Sequence, residues 1–141
     1  MTEAFAQAKK SLAEGGIPIG AVLVKDGKII GRGHNRRVQN NDITAHAEID
    51  CLRDAGDIGE HGDRVLYSTL SPCYMCSGAI ALFKVPKVVF AENKNFVGGE
   101  AFLKQKGVDI VNLEDSEIAE FFGAWIKDNK KLWEEDIDKE P

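Results

Sequence analysis

The chain has 141 residues, 43% of them hydrophobic and 29% charged, an ordinary globular make-up that excludes disordered, collagen-like and mucin-like chains. At roughly 150 residues per domain, the length reads as one domain over residues 1–141. Eighteen Lys and Arg against 23 Asp and Glu leave a net charge of −5, and no basic stripe is visible, which argues against a nucleic-acid partner. The longest apolar run, around Gly78 to Phe83, falls far short of the roughly 18 residues of a membrane span. Without a basic and apolar leader at Met1-Thr2-Glu3-Ala4, a cytoplasmic location is expected. Three cysteines, an odd number in a reducing compartment, point to metal binding or catalysis before disulfides.

In chain order, Phe5, Ala8 and Leu12 share one face of a first helix that Thr2 can cap and that Gly15-Gly16 and Pro18 end. Ile19 to Val24 and Lys28 to Gly33 read as strands around Asp26-Gly27, a strong short hairpin signal. A polar stretch, Asn35 to Asp42, leads to a helix from about Thr44 to Asp54, then a Gly- and Asp-rich loop, Gly56 to Asp63. Val65 to Leu70 reads as a strand running into Ser71-Pro72, an N-cap residue with proline at the first helical position. That helix is expected to end near Lys84, and Pro86 then opens a buried strand, Lys87 to Ala91. Gly98-Gly99 precede a short helix of about Glu100 to Lys106, and Val108 to Leu113 is the last strand. Asp115 or Ser116 opens an amphipathic helix whose apolar side carries Ile118, Phe121, Phe122, Trp125 and Ile126, and Trp133-Glu134-Glu135-Asp136 form an acidic end. Strands alternating with helices after a hairpin predict an α/β sandwich with a mixed sheet.

Two segments carry the chemistry: His46-Ala47-Glu48 at the start of one predicted helix and Pro72-Cys73-Tyr74-Met75-Cys76 at the start of the next. Cys73 and Cys76, three residues apart on a helix, present their sulfurs on one face, and His46 can supply a third ligand. Three protein ligands leave one corner of a tetrahedral zinc open to water, whose pKa falls from about 15.7 toward about 7. Helix N-termini favour thiolates beside such an ion. Glu48 is the candidate proton carrier. Residues two apart on a regular helix do not face one another, so His46 and Glu48 act together only if the ion lies off the first turn. A lone C-x-x-C also fits a redox dithiol, and a structural zinc knot would need four ligands, unless Cys51 joins. Cys51 reads as a small core residue, His34 as a packed strand end, and His61 as solvent-facing.

H-A-E followed by P-C-Y-M-C resembles the signature of the zinc-dependent cytidine and cytosine deaminase superfamily. The segments Gly16 to Gly20, Gly31 to Asn35, Thr69 to Cys73, Asn93 to Phe96 and Trp133 to Ile137 are similar to those of its yeast-type cytosine deaminases, over almost the full length. Ala47 stands where that pattern has glycine, and Tyr74 where it has an acidic residue. The resemblance implies a three-layer α/β/α sandwich with a mixed five-stranded sheet, one Zn2+ per chain and a homodimer. It implies His46, Cys73 and Cys76 as zinc ligands and Glu48 as the proton shuttle. Asn35 and the backbone N–H of Ala47 would bind the ring N–H and carbonyl edge, and Asp136 the departing amino group. Phe96 and Trp133 would close over the ring, with Ile19, Leu70 and Ser71 completing the pocket.

The expected reaction is hydrolytic deamination of a free pyrimidine base, cytosine plus water to uracil plus ammonia, by zinc-activated hydroxide. Isocytosine is the main rival, because turned over it presents nearly the same amino, ring-nitrogen and carbonyl edge. Guanine needs room for a second ring. A nucleoside deaminase, a tRNA adenosine deaminase and a non-enzymatic zinc-binding module are the remaining alternatives.

Overall fold

The computed structural model describes residues 1–137. Five strands form one sheet in the order β2-β1-β3-β4-β5. β1 (Gly20–Lys25) and β2 (Lys28–His34) form the expected hairpin. Asp26 and Gly27 both take positive φ, 49° and 80°, the conformation that a two-residue turn matched to strand twist requires. β1 also pairs antiparallel with β3 (Arg64–Ser68), whereas β3, β4 (Lys87–Phe90) and β5 (Asp109–Asn112) run parallel. The sheet is therefore mixed, as the element pattern predicts.

Helices cover both faces. On one side lie α1 (Thr2–Ala13) and α6 (Ser116–Asp128), joined by an edge-to-face contact of Phe5 with Phe121. The buried face of α1 is Ala4, Ala8 and Ser11, while Leu12 is exposed. That corrects the expected stripe, and Gly20 gives the reason. A Cβ there would collide with the backbone of Ala4 and Ala8, so α1 approaches β1 with its smallest side chains. Thr2 lies inside the helix, and Met1 occupies the cap position with no side-chain bond.

On the other side, α3 (Ala47–Ala55) lies across β1 and β2. A Cβ on Gly33 would run into the Cys51 nitrogen and the Ala47 carbonyl oxygen. The first turn of α3 is thereby held against the sheet, backbone to backbone. α4 (Tyr74–Leu82) lies beside α3, and α5 (Glu100–Gln105) lies against α4 and β5.

Three departures from the sequence reading bear on function. The polar stretch after β2 contains a short helix, α2 (Arg37–Asn40). The cap of α4 is Cys73, whose sulfur accepts from the Cys76 N–H at 3.5 Å. Ser71 does not cap, because its hydroxyl donates to Glu100 at 2.7 Å. The acidic end is a seventh helix, α7 (Lys130–Asp136), with Trp133 and Asp136 buried. No helix among the described residues is long and apolar enough to cross a membrane.

Candidate functional site

The amino ends of α3 and α4 meet at one end of the sheet. His46 and Cys73 each occupy the cap position, with extended backbone (ψ 158° and 175°). Because His46 precedes the helix, its ring and the Glu48 side chain reach the same space, which resolves the two-residue spacing problem. The Cys73 and Cys76 sulfurs lie 3.4 and 3.7 Å from Nδ1 of His46. All three ligand atoms fall within 4.8 Å of one another. Zn–S and Zn–N bonds of about 2.3 and 2.0 Å in a tetrahedron put sulfur and nitrogen about 3.5 Å apart. The donor set thus fits zinc in chemistry and in spacing.

Cys73 is brought down to about 4 by its bond with the Cys76 side chain and by His46, against the opposing effect of burial. Cys76 rises well above the ordinary thiol range, because its proton is held toward Cys73 and it is buried. Burial works against charge on His46, but the Asp136 carboxylate and the Cys73 sulfur outweigh it and push the imidazole up to about 10. Burial, reinforced by the negative Cys73, pushes Glu48 up to about 7, a value suited to taking and returning a proton near neutrality. The Glu48 and Cys76 side chains are hydrogen-bond neighbours.

Above the donor set lies a small cavity of about 20 Å³. Its walls include Ile19, Asn35, His46, Ala47, Glu48, Leu70, Ser71, Cys73, Phe96, Trp133 and Asp136. Every residue singled out from the sequence is here except Cys76, which is fully buried behind the ligand cluster. Asn35 is nearly inaccessible; its Oδ1 accepts from the Arg37 N–H at 2.9 Å and its Nδ2 donates to Asp136 Oδ2 at 3.4 Å. The Ala47 N–H belongs to the first turn of α3, which has no acceptor within the helix. The Ser71 hydroxyl is turned to Glu100 and also accepts from the Gly98 N–H at 3.0 Å. It ties the Phe96 loop to the segment that leads into Cys73. Phe96 meets Trp133 edge-to-face at 5.8 Å.

Two residues escaped the sequence reading. Ile137 also lines the cavity; its distance of four residues from Trp133 is a signal that both face one way. Arg37 places Nη1 3.4 Å from Asp136 Oδ1, and nothing in the local sequence announces it. Cys51 is buried core, and burial pushes its thiol up. It stands outside the ligand group. His34 is buried against Glu14, with Nε2 2.7 Å from Oε1, and His61 is exposed. Tyr74 is 75% exposed and does not line the cavity.

Residues 1–92 match the model of the cytidine and deoxycytidylate deaminase zinc-binding region. The chain is 44% identical over 137 residues to a cytosine deaminase of Candida albicans, covering 95% of this chain and 91% of that protein. It is 45% identical over 107 residues to a tRNA-specific adenosine deaminase of Streptococcus pyogenes, covering 72% of this chain and 66% of that one. A solved structure from work on tRNA:A34 deaminases superposes with a TM-score of 0.73 at 35% identity, over 85% of this chain and 96% of its own.

Proposed function

The chain belongs to the cytidine and deoxycytidylate deaminase zinc-binding family of hydrolytic deaminases, and from that premise we propose that it deaminates a free pyrimidine base, converting cytosine and water to uracil and ammonia. The observation that carries the choice of a free base is α7. Trp133, Asp136 and Ile137 lie over the cavity, and Trp133 and Asp136 are buried there. A base still attached to ribose and phosphate must leave that chain outside, and the α7 side chains form part of the wall it would have to pass. The net charge of −5 supports the same choice against tRNA.

His46, Cys73 and Cys76 would hold one zinc ion. Bound there, zinc supplies Lewis-acid activation of water near neutral pH. Glu48 takes a proton from the attacking water on its carboxylate and returns it to the ring nitrogen beside the reacting carbon. Asn35 reads the ring N–H and carbonyl with its amide, which has both a donor and an acceptor to offer, and the Ala47 N–H shares the carbonyl. Glu48 then carries the second proton from the new hydroxyl to the amino group, which departs as ammonia while Asp136 accepts its hydrogen bond. Phe96 and Trp133 close over the ring between the apolar walls of Ile19 and Leu70. The Ser71 hydroxyl acts indirectly, by holding the Phe96 loop.

Ammonia release from cytosine, isocytosine, guanine, cytidine, adenosine and an adenosine-containing anticodon stem-loop, per mole of bound zinc, tests the reading. Cytosine should lead, with isocytosine behind it because the site's partner for the ring N–H goes unmet. Preference for cytidine or for the stem-loop overturns it.

The same reading places the enzyme in the cytoplasm as a homodimer. Tyr74, Leu82 and Phe83, at the two ends of α4, are more than half exposed, and a second copy would cover them. Sedimentation equilibrium should give twice the chain mass, and Leu82→Glu should halve it; a monomeric wild type refutes the dimer.

A further inference from the structure

We propose that Arg37 is a positioning residue of this site, gripping the Asp136 carboxylate and so fixing where α7 closes. The proposal rests on the reading of α7 as the cover over a base.

Arg37 stands on a pinned platform. Its own N–H donates to Asn35 Oδ1 at 2.9 Å. Two residues on, Gln39 Nε2 donates to Ser11 Oγ at 3.1 Å and to Glu14 Oε1 at 3.3 Å, at the end of α1. On the other side, Arg36 Nε donates to Asp50 of α3 at 3.0 Å. The root of the Arg37 side chain is thus fixed to both helical layers, independently of α7.

Its guanidinium lies 3.4 Å from Asp136 Oδ1, with side chains 19% and 1% exposed. A carboxylate so far from water needs a partner, and removing one member of a buried pair is costly. Asp136 has two other contacts, Asn35 Nδ2 and His46 Nε2, each at 3.4 Å. Each also serves the site under the proposed function: Asn35 turns its amide to the base, and His46 gives Nδ1 to the metal, which leaves Nε2 as a neutral donor to Asp136. Arg37 has neither duty, because it does not line the cavity, and its charge is permanent. It is the charged partner that can hold Asp136 through the whole cycle. Trp133 lies one helical turn earlier on α7, so the grip that places Asp136 also places the ring over the base.

The test compares zinc-loaded wild type with Arg37→Ala and Arg37→Lys in two readouts. Without substrate, Arg37→Ala should speed amide hydrogen exchange in residues 130–136 by roughly tenfold and leave the sheet unchanged, since that bond favours the closed state. With cytosine, KM should rise by roughly tenfold while kcat stays within about threefold, because substrate must first close the cover. Arg37→Lys should recover part of both. Unchanged exchange in α7, or a loss of zinc and kcat together without a KM effect, overturns the proposal. If wild type deaminates no free base, the functional reading falls, and hydrogen exchange still judges Arg37 by itself.

Discussion

Asp136 Oδ1 lies 3.4 Å from Nε2 of His46, on the side of the imidazole away from the two sulfurs. A proton on Nε2 aimed at that carboxylate leaves the Nδ1 lone pair facing Cys73 and Cys76. The last helix therefore selects the tautomer in which His46 can ligate, the role carboxylates play behind ligating histidines elsewhere. Asp136→Asn should weaken zinc affinity by about 10- to 100-fold, read by competition with a fluorescent chelator. Wild-type affinity in that variant would separate Asp136 from the metal and leave it only the substrate.

Glu48→Gln keeps the shape of the side chain and removes its ability to carry a proton. Metal analysis should find wild-type zinc, and ammonia release per zinc should fall by about 10² to 10⁴. Turnover near wild type would take the proton shuttle away from Glu48.

Stripping the metal with a chelator should leave Cys73 as the reactive thiol. His46 and the Cys76 side chain hold it near 4, while Cys76 and Cys51 are pushed upward, and the thiolate is the nucleophile. Peptide mapping after brief iodoacetamide treatment at pH 7 should find label on Cys73 first. Zinc added beforehand should protect it. Equal labelling of the three cysteines would contradict the asymmetry.

Acid should weaken the fold in part through Glu14. Its hydrogen bond to His34, aided by Gln39 and opposed by burial, holds this carboxyl below its ordinary value of 4.5. A depressed folded value means that its contribution is present above about 4.5 and is lost as pH falls through the lower folded value. With the side chain 37% exposed, solvent screening limits the effect to about 1 kcal/mol. Urea unfolding at pH 7 and pH 3 should show a smaller loss for Glu14→Gln than for wild type. Equal losses would remove Glu14 from the acid response.

The hairpin and the ligand triad were legible because each is set by neighbours in sequence. Asp26-Gly27 can take the positive φ angles of a tight turn, and C-x-x-C at a helix start presents two sulfurs together. What stayed hidden depends on distant partners. Ser71 looks like a cap until Glu100 takes its hydroxyl. Arg37 looks like a solvated charge until α7 brings Asp136 to it. Phe5, Ala8 and Leu12 form a sound apolar stripe, but the bare backbone of Gly20 draws Ala4, Ala8 and Ser11 inward instead. Trp133 and Asp136 reached the candidate pocket through the resemblance alone, because the local sequence reads as an acidic end and only the folded chain shows how much of that segment the cavity buries.

His46 and Cys73 both stand one step before a helix, with extended backbone. Helix formation and metal affinity therefore compete at these positions. A change upstream that recruited either residue into the helix would replace its extended ψ with a helical one, carrying the ligand away from its partners. Thr44 and Ala45, just ahead of His46, are places where a designer seeking a stiffer protein would obtain a poorer metal protein.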